Sequence, residues 1–161
     1  MPDTPDFFPL LTAREMVDLA RYPFRKDVSE DSVAQVIELV GLGDSIDRRV
    51  GGFSRGMKQR LGLATTLIGE PQLLLLDEPC SALDPLGRRE ILDAILQLKS
   101  KSTVLFSTHI LGDVEDVCDS VTVINHGKAL YEGAVRDIKK SKGQSFEGAI
   151  LELLQTGRST E

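Results

Sequence analysis

The run Leu73-Leu74-Leu75-Leu76-Asp77-Glu78 decides the fold class of this chain. Four consecutive leucines closed by two carboxylates are typical of a strand that is buried on both faces of a parallel sheet. Open α/β sheets bind their ligands at the carboxyl ends of such strands, which is where Asp77 and Glu78 would lie. The run therefore predicts an α/β fold with a ligand site at these two acids. The alternative interpretation is a purely structural strand that happens to end in acids.

Three further motifs flank this run. Upstream lies Phe53-Ser54-Arg55-Gly56-Met57-Lys58-Gln59-Arg60, followed by apolar residues at helical spacing. Downstream lie Ser81-Ala82-Leu83-Asp84 and then the run Thr103–Ser107, which His109 follows closely. The order and spacing of the four motifs resemble the nucleotide-binding subunit of ATP-binding cassette (ABC) transporters. In that resemblance, residues 54–60 are the signature loop, 73–78 the Walker B strand, 81–84 the D-loop and His109 the switch histidine.

The resemblance implies an α/β, P-loop NTPase-like fold, a partial ABC ATPase domain with an α-helical subdomain packed beside a mostly parallel sheet. It also divides the chain into three parts. Residues 1–70 would form an N-terminal tail and the helical subdomain with the signature loop. Residues 71–133 would form part of a RecA-like core, with Walker B, the D-loop and the switch histidine. Residues 134–161 would form a C-terminal helical tail.

One motif of the family does not occur in this sequence. No G-x-x-x-x-G-K-[ST] is present in the 161 residues. That glycine-rich loop, Walker A, supplies the backbone N–H groups and the lysine that hold the β- and γ-phosphates of ATP. We therefore expect the chain to correspond to the C-terminal portion of such a subunit, beginning just past the Q-loop, and to bind ATP poorly by itself. The sequence leaves open whether the missing half reflects a truncation or a real loss.

The resemblance assigns chemical roles to two acids and a histidine. Asp77 would bind Mg²⁺, through water because that ion dehydrates reluctantly. Glu78 would act as the general base that activates a water for attack on ATP. His109 would hydrogen-bond the γ-phosphate and hold the attacking water. The separation of His109 from Asp77 fits one strand–helix–strand step, which would bring both to one edge of the sheet. A structural role is the alternative for a lone histidine.

The signature loop is expected to contact ATP that is bound to a second subunit. A helix that begins near Gly56 would point unpaired N–H groups at the γ-phosphate, and Ser54 would add a hydroxyl unless it is a simple N-cap. Arg55 and Met57 stand where the family usually has Gly and Gln. The arginine would either add a cation beside the phosphate or hinder closure by its bulk. Asp84 would reach across the dimer and couple the two sites.

Composition limits the partners. The chain carries a formal net charge of −6 at pH 7, which argues against a nucleic-acid surface. No segment approaches the roughly 18 apolar residues of a membrane span, so the resemblance implies a transport path in a separate permease subunit. It also implies a second nucleotide-binding subunit in a head-to-tail dimer. The expected location is cytoplasmic, on the inner face of the cell membrane through the permease.

Local patterns predict the elements that carry these motifs. Thr12 and Glu15 form a capping-box pattern at a helix start. The predicted helices span about Thr12–Tyr22, Glu30–Val40, Arg55–Ile68, Gly87–Lys99, Leu111–Cys118, Val135–Lys140 and Phe146–Leu154. The predicted strands span Leu73–Asp77, Val104–Ser107, Val121–Asn125 and Ala129–Glu132, the last two joined by a turn at His126-Gly127.

Two functions from different classes fit the sequence. The first is an ATP-binding and ATP-hydrolysing subunit of an ABC transporter. Export is the expected direction, because residues 57–60 and 146–154 resemble the drug-exporter (ABC-2-type) branch. The second is a non-enzymatic remnant or interaction module that completes a site only in trans. Asp77, Glu78, Asp84 and His109 are all chemically competent residues for the family's reaction, which favours the first function.

Overall fold

A computed structural model describes residues 1–138 and 144–158 of the chain. These residues belong to two compact units, Met1–Thr108 and His109–Glu161. Each unit buries its own set of apolar side chains. Among the helices described, none has the length and apolar content that crossing a bilayer requires.

A helical part comes first in the Met1–Thr108 unit. It consists of α1 (Ala13–Arg21), α2 (Asp31–Leu39) and α3 (Arg55–Leu67), joined by 3₁₀ turns at Tyr22–Phe24, Gly43–Ser45 and Val50–Gly52. Each helix packs against the other two, and Val17, Ile37 and Leu61 are buried between them. The three predicted helices are confirmed, with ends that differ by at most one residue.

The start of α1 is fixed by a reciprocal pair of hydrogen bonds. The Glu15 N–H donates to Thr12 Oγ1 at 3.2 Å, and the Thr12 N–H donates to Glu15 Oε2 at 2.8 Å. The predicted capping box is therefore confirmed. The bonds from Thr12 to the Glu15 carboxylate favour its charged form, so they lower the pKa of Glu15 below its ordinary value.

The second part of this unit is a strand–helix–strand element. It contains β1 (Leu73–Asp77), α4 (Pro85–Leu98) and β2 (Thr103–Ser107), and α4 contacts β2. The two strands pair in parallel, with Leu73 opposite Thr103 and Asp77 opposite Ser107. The prediction of an α/β element with a parallel sheet is confirmed. Its pairing register places the last residues of both strands side by side.

The prediction that β1 is buried on both faces is wrong. Leu74 and Leu76 are 0% and 3% exposed, whereas Leu73 and Leu75 are 54% and 56% exposed. Successive side chains of a strand point to opposite faces, so the leucines divide into two sets. No described element covers the face that carries Leu73 and Leu75. The same face continues on β2, where Leu105 is also exposed.

The His109–Glu161 unit is built on an antiparallel hairpin. Strands β3 (Ser120–Asn125) and β4 (Lys128–Ala134) are joined at His126 and Gly127, which have φ values of 47° and 75°. Two consecutive positive φ values are the mark of the tight turns that connect hairpin strands. Helices α5 (Leu111–Val117) and α6 (Phe146–Arg158) contact each other, and α6 contacts both strands. The predicted return strand and its turn are confirmed.

The helix predicted at Val135–Lys140 is wrong in its described part. The chain forms one 3₁₀ turn at Val135–Asp137, and Ile138 follows as its C-cap residue. A segment this short gains too few i→i−4 bonds to offset the cost of helix nucleation. Lys139 and Lys140 lie outside the described residues. The last predicted helix is confirmed and is longer than expected, since α6 continues to Arg158.

Replacing Thr12 by alanine is expected to lower the free energy of unfolding by about 1 kcal/mol, since α1 loses its N-cap. Urea denaturation followed by circular dichroism measures the change. The control Thr12→Ser keeps a hydroxyl acceptor and should remain within about 0.5 kcal/mol of the wild type. A Thr12→Ala chain with unchanged stability would contradict the role of the capping box.

Glu15 makes stability depend on pH in a defined direction. Its pKa is lower in the folded chain than its ordinary value of 4.5, so the charged carboxylate stabilises the fold above pH 4.5. That contribution is lost as the pH falls through the lowered folded pKa. The wild type should therefore exceed Glu15→Gln in stability at pH 7, and the difference should shrink on acidification. Urea titrations of both chains between pH 7 and pH 3 test this; a difference that grows in acid would contradict it.

Candidate functional site

The last residue of β1, Asp77, and the next residue, Glu78, are joined by a hydroxyl from β2. Ser107 Oγ donates to Asp77 Oδ1 at 2.6 Å and accepts from the Glu78 N–H at 3.0 Å. This contact exists because the parallel register sets Asp77 beside Ser107. Asp77 is exposed and Glu78 is half-buried. The carboxyl end of the sheet therefore presents two adjacent carboxylates on a hydrogen-bonded frame.

Glu78 itself has an unusual backbone. Its φ of 45° lies in the left-handed region, which residues with a Cβ rarely adopt. Its carbonyl accepts from Gln59 Nε2 at 3.1 Å. Gln59 is 1% exposed and belongs to α3, the helix that begins at the predicted signature loop. A buried amide thus connects that helix to the residue predicted to be the general base.

The predicted signature loop forms the start of α3. Ser54 is the N-cap, and its Oγ accepts from the Met57 N–H at 3.2 Å. Within residues 1–138 and 144–158, the N–H groups of Arg55 and Gly56 donate to no protein acceptor. Free N–H groups at the positive end of a helix dipole favour an anion. The loop therefore has the donors that a phosphate group requires, and Ser54 also serves as the simple N-cap.

Gly56 lets the signature loop approach the predicted D-loop closely. A Cβ at position 56 would lie 3.2 Å from Leu83 Cδ2 and 3.3 Å from the Ala82 carbonyl oxygen. The loop and segment 82–84, together with parts of segment 41–48, line a cleft of about 650 Å³. Three arginines, Arg48, Arg55 and Arg60, are among its lining residues. The cleft therefore combines helix N–H groups with these three arginines and with two carboxylates, Asp44 and Asp84.

Asp3 links the signature loop to the D-loop through its carboxylate. Ser81 Oγ donates to Asp3 Oδ1 at 2.7 Å. The guanidinium of Arg55 lies 3.9 Å from Asp3 Oδ2, with both side chains substantially exposed. Next to this contact, the Met1 amine donates to the Leu75 carbonyl at 2.7 Å, and the Asp77 N–H donates to the Met1 carbonyl at 2.9 Å. The first residues thus lie along β1, beside the candidate site.

Asp84 and His109 are two other predicted site residues, the first a helix N-cap and the second an exposed side chain. Asp84 is the N-cap of α4, because its Oδ1 accepts from the Gly87 N–H at 2.8 Å. The helix therefore begins at Pro85, two residues before the predicted start at Gly87. His109 is exposed and is the first residue of the second unit. Its role at the γ-phosphate stays a prediction.

The donor set fits a magnesium ion that is held mainly by phosphate and water. Asp77 supplies one exposed carboxylate, whose Oδ1 is oriented by Ser107. In the part of the chain that the structure describes, no group of three or more His, Cys, Asp and Glu side chains is arranged to hold a metal. Mg²⁺ commonly takes one or two carboxylates and fills its other positions with water and substrate phosphates. The site suits such an ion and does not suit an all-protein metal cage.

Sequence reasoning missed three residues that frame the site: Gln59, Ser107 and Asp3. The partner of Gln59 is the Glu78 carbonyl, nineteen positions along the chain, and nothing in the local pattern indicates it. Ser107 had a usable signal, since a strand pairing with its last residue opposite Asp77 places a hydroxyl beside that acid. Asp3 lay in a segment without a recognised motif.

Comparison with known proteins identifies the family. The family model described as "ABC transporter" matches residues 1–81, half of the chain. The uncharacterized ABC transporter ATP-binding protein YxlF of Bacillus subtilis (strain 168) is 42% identical over 144 residues, covering 88% of this chain and 49% of that protein. The bacitracin transport ATP-binding protein BcrA of Bacillus licheniformis is 38% identical over 149 residues, covering 90% of this chain and 48% of that protein.

The fold agrees with a solved member of the same class. The "Structure of ATP binding subunit of ABC transporter" matches with a TM-score of 0.81 and 30% identity, covering 94% of this chain and 66% of that chain. The chain belongs to the ABC transporter family, and it has the P-loop NTPase fold of the ATP-binding subunit that it matches. It spans about half the length of the curated relatives it matches.

The capping role of Asp84 gives a test that separates folding from function. Asp84→Ala should lower the free energy of unfolding by about 1 kcal/mol, because α4 loses its N-cap. Asp84→Asn keeps an oxygen acceptor at the cap and should leave stability nearly unchanged. Urea denaturation of the three chains measures both effects. Equal stability of Asp84→Ala and the wild type would contradict the capping role.

Proposed function

We propose that this chain provides part of an ATP-hydrolysing site in an ABC transporter and works in a head-to-tail pair of ATP-binding subunits. The observation that carries the proposal is the contact between Gln59 and the Glu78 carbonyl. This hydrogen bond connects α3, whose N-terminus can bind a phosphate, to Glu78, which with Asp77 forms the pair of carboxylates that can bind magnesium and water. Membership of the family supports ATP as the substrate that would contact both features.

In this proposal, Glu78 is the general base. It accepts a proton from a water molecule while the water oxygen bonds to the γ-phosphorus and the bond to the bridging oxygen of ADP breaks. Asp77 holds Mg²⁺, which neutralises phosphate charge when bound. His109 donates a hydrogen bond to the γ-phosphate. Ser54, with the N–H groups of Arg55 and Gly56, contacts the γ-phosphate of the nucleotide on the opposing subunit.

The remaining residues of the signature and D-loop face have supporting roles. Met57 completes the first turn of α3 by donating its N–H to Ser54, and Arg55 adds positive charge to the phosphate-facing cleft. Asp84 keeps its capping role and also lies at the interface between the two subunits. We also propose the division of the chain into an N-terminal tail with a helical subdomain (1–70), part of a RecA-like core (71–133) and a C-terminal helical tail (134–161).

We further propose that a separate permease subunit carries the transport path and holds the chain on the inner face of the cell membrane. Export is the direction we favour. Support comes from the likeness of residues 57–60 and 146–154 to the drug-exporter branch. Transport in membrane vesicles of known orientation, driven by ATP on one side, would establish the direction.

A second function is favoured by one feature of the sequence. The 161 residues contain no G-x-x-x-x-G-K-[ST] motif, while the signature loop forms a capped helix start at Ser54. The chain would then act in trans, by placing Ser54 over ATP that a complete homologous subunit holds. In this case Ser54 matters for turnover and Glu78 does not, because the partner supplies its own general base.

ATP turnover of the chain, alone and mixed with an intact homologous subunit, separates the two functions. If the chain's own site hydrolyses ATP, Glu78→Gln should lower kcat by about 10²-fold or more. If it acts in trans, the mixture should turn over faster than the intact subunit alone. Ser54→Ala should abolish that stimulation, whereas Glu78→Gln and the hydroxyl-preserving Ser54→Thr should keep it. Absence of both turnover and stimulation would refute both functions.

A further inference from the structure

The peptide groups of Glu78 are held from both sides by side chains of two different elements. Its N–H donates to Ser107 Oγ of β2 at 3.0 Å. Its carbonyl accepts from Gln59 Nε2 of α3 at 3.1 Å. The same Ser107 hydroxyl donates to Asp77 Oδ1 at 2.6 Å, which aligns its lone pair for the Glu78 N–H. The side chains of Ser107 and Gln59 therefore hold the backbone of Glu78, and the Asp77 carboxylate orients the Ser107 hydroxyl.

The backbone conformation of Glu78 explains why these two hydrogen bonds are needed to hold it. A φ of 45° is unfavourable for any residue with a Cβ, and such conformations persist only where the surrounding structure enforces them. Because φ sets the direction of the Cα–Cβ bond, this conformation also sets where the carboxylate can reach. Released from its partners, Glu78 would relax toward the common regions of φ/ψ space, and its carboxylate would move.

Gln59 has a further property that a packing role leaves unexplained. Its side chain is 1% exposed, yet it carries an amide whose burial is costly unless it is hydrogen-bonded. The neighbouring buried positions of α3, Leu61, Leu63 and Ala64, are apolar. Gln59 is thus the polar residue among the apolar buried positions of α3, and its Nε2 donates to the carbonyl of Glu78.

We infer that Gln59 and Ser107 are positioning residues that together hold Glu78 in its left-handed conformation and so aim its carboxylate. The inference rests on the proposed role of Glu78 as general base. Gln59 lies five residues after Ser54 on the same helix, so the phosphate-facing loop and the base share one rigid support. Neither positioning residue is required to touch ATP, water or magnesium.

The test combines a structural readout with kinetics. NMR measures the amide exchange rate of Glu78 and the ¹³C chemical shift of its carbonyl, neither of which requires turnover. Ser107→Ala should raise the exchange rate roughly tenfold, because the amide loses its acceptor. Gln59→Leu, which keeps an apolar body of similar size, should shift the carbonyl signal. In both variants kcat should fall while KM stays near the wild-type value, since a positioning defect affects chemistry more than binding.

Matched controls are available just before β2 and within α3. Ser102→Ala removes a hydroxyl that donates to the Pro71 carbonyl at the other end of the sheet. Thr66→Val removes one that donates to the Gly62 carbonyl within α3. Both should leave the Glu78 signals and kcat unchanged. Ser107→Thr keeps the hydroxyl and should restore slow exchange and most of kcat.

The outcomes are decisive in either direction. Glu78 signals that stay unchanged in Ser107→Ala would overturn the inference, and so would unchanged signals in a folded Gln59→Leu chain or signals that move without any change in kcat. Because Ser107 is exposed, its variant should fold even if Gln59→Leu does not, and it decides the question alone. If the wild type shows no turnover in any mixture, the hydrolytic function fails, and the NMR measurements still confirm or overturn the positioning of Glu78.

Discussion

The parallel pairing of β1 with β2 is the constraint on which the rest of the site depends. A shift of one residue in this register would move Ser107 away from Asp77 and turn the alternate leucines of β1 to the opposite face. The register in turn depends on the burial of Leu74 and Leu76, which cannot exchange places with Leu75 without exposing a packed face. Packing of apolar side chains therefore sets the position of a hydroxyl, and the hydroxyl contacts the Asp77 carboxylate and the Glu78 N–H.

Helix α3 adds the second support. Its apolar face is buried against α1 and α2, which fixes the helix, and this leaves Gln59 at a defined distance from the end of β1. At the other end of the cleft, Arg60 donates to the Gly41 carbonyl and forms an ion pair with Glu90 at 2.7 Å, which joins α3 to both α2's end and α4. The helix that presents the signature loop is thus tied to each element that carries another motif of this unit.

The limits of prediction follow from the range of the interactions. Helices and strands were predictable because periodicity, caps and apolar runs are local, and Thr12 with Glu15 is a local capping signal that the structure confirms. The predicted start of α4 at Gly87 is two residues too late, because Asp84 caps the helix and Pro85 begins it; Asp followed by Pro is a strong N-cap signal. The burial of β1 and the partner of Gln59 depend on which elements pack where, so no local pattern indicates them. The family's motifs identified Asp77 and Glu78, but they do not indicate that Gln59 and Ser107 contact these two residues.

The contact between Arg55 and Asp3 bears on the departure of this signature loop from the usual glycine. The charged groups are 3.9 Å apart, and the Arg55 and Asp3 side chains are 65% and 41% exposed. Exposed ion pairs of this kind contribute little to stability, typically about 0–1 kcal/mol. Asp3 also accepts from Ser81 at 2.7 Å, so its carboxylate keeps a hydrogen-bond donor if Arg55 leaves. The guanidinium therefore loses little stabilisation when it turns toward an incoming anion. The Arg55 side chain is exposed, whereas the tight contact with Ala82 and Leu83 is made at Gly56. Of the two effects considered for this arginine, the added cation fits the arrangement better than hindered closure.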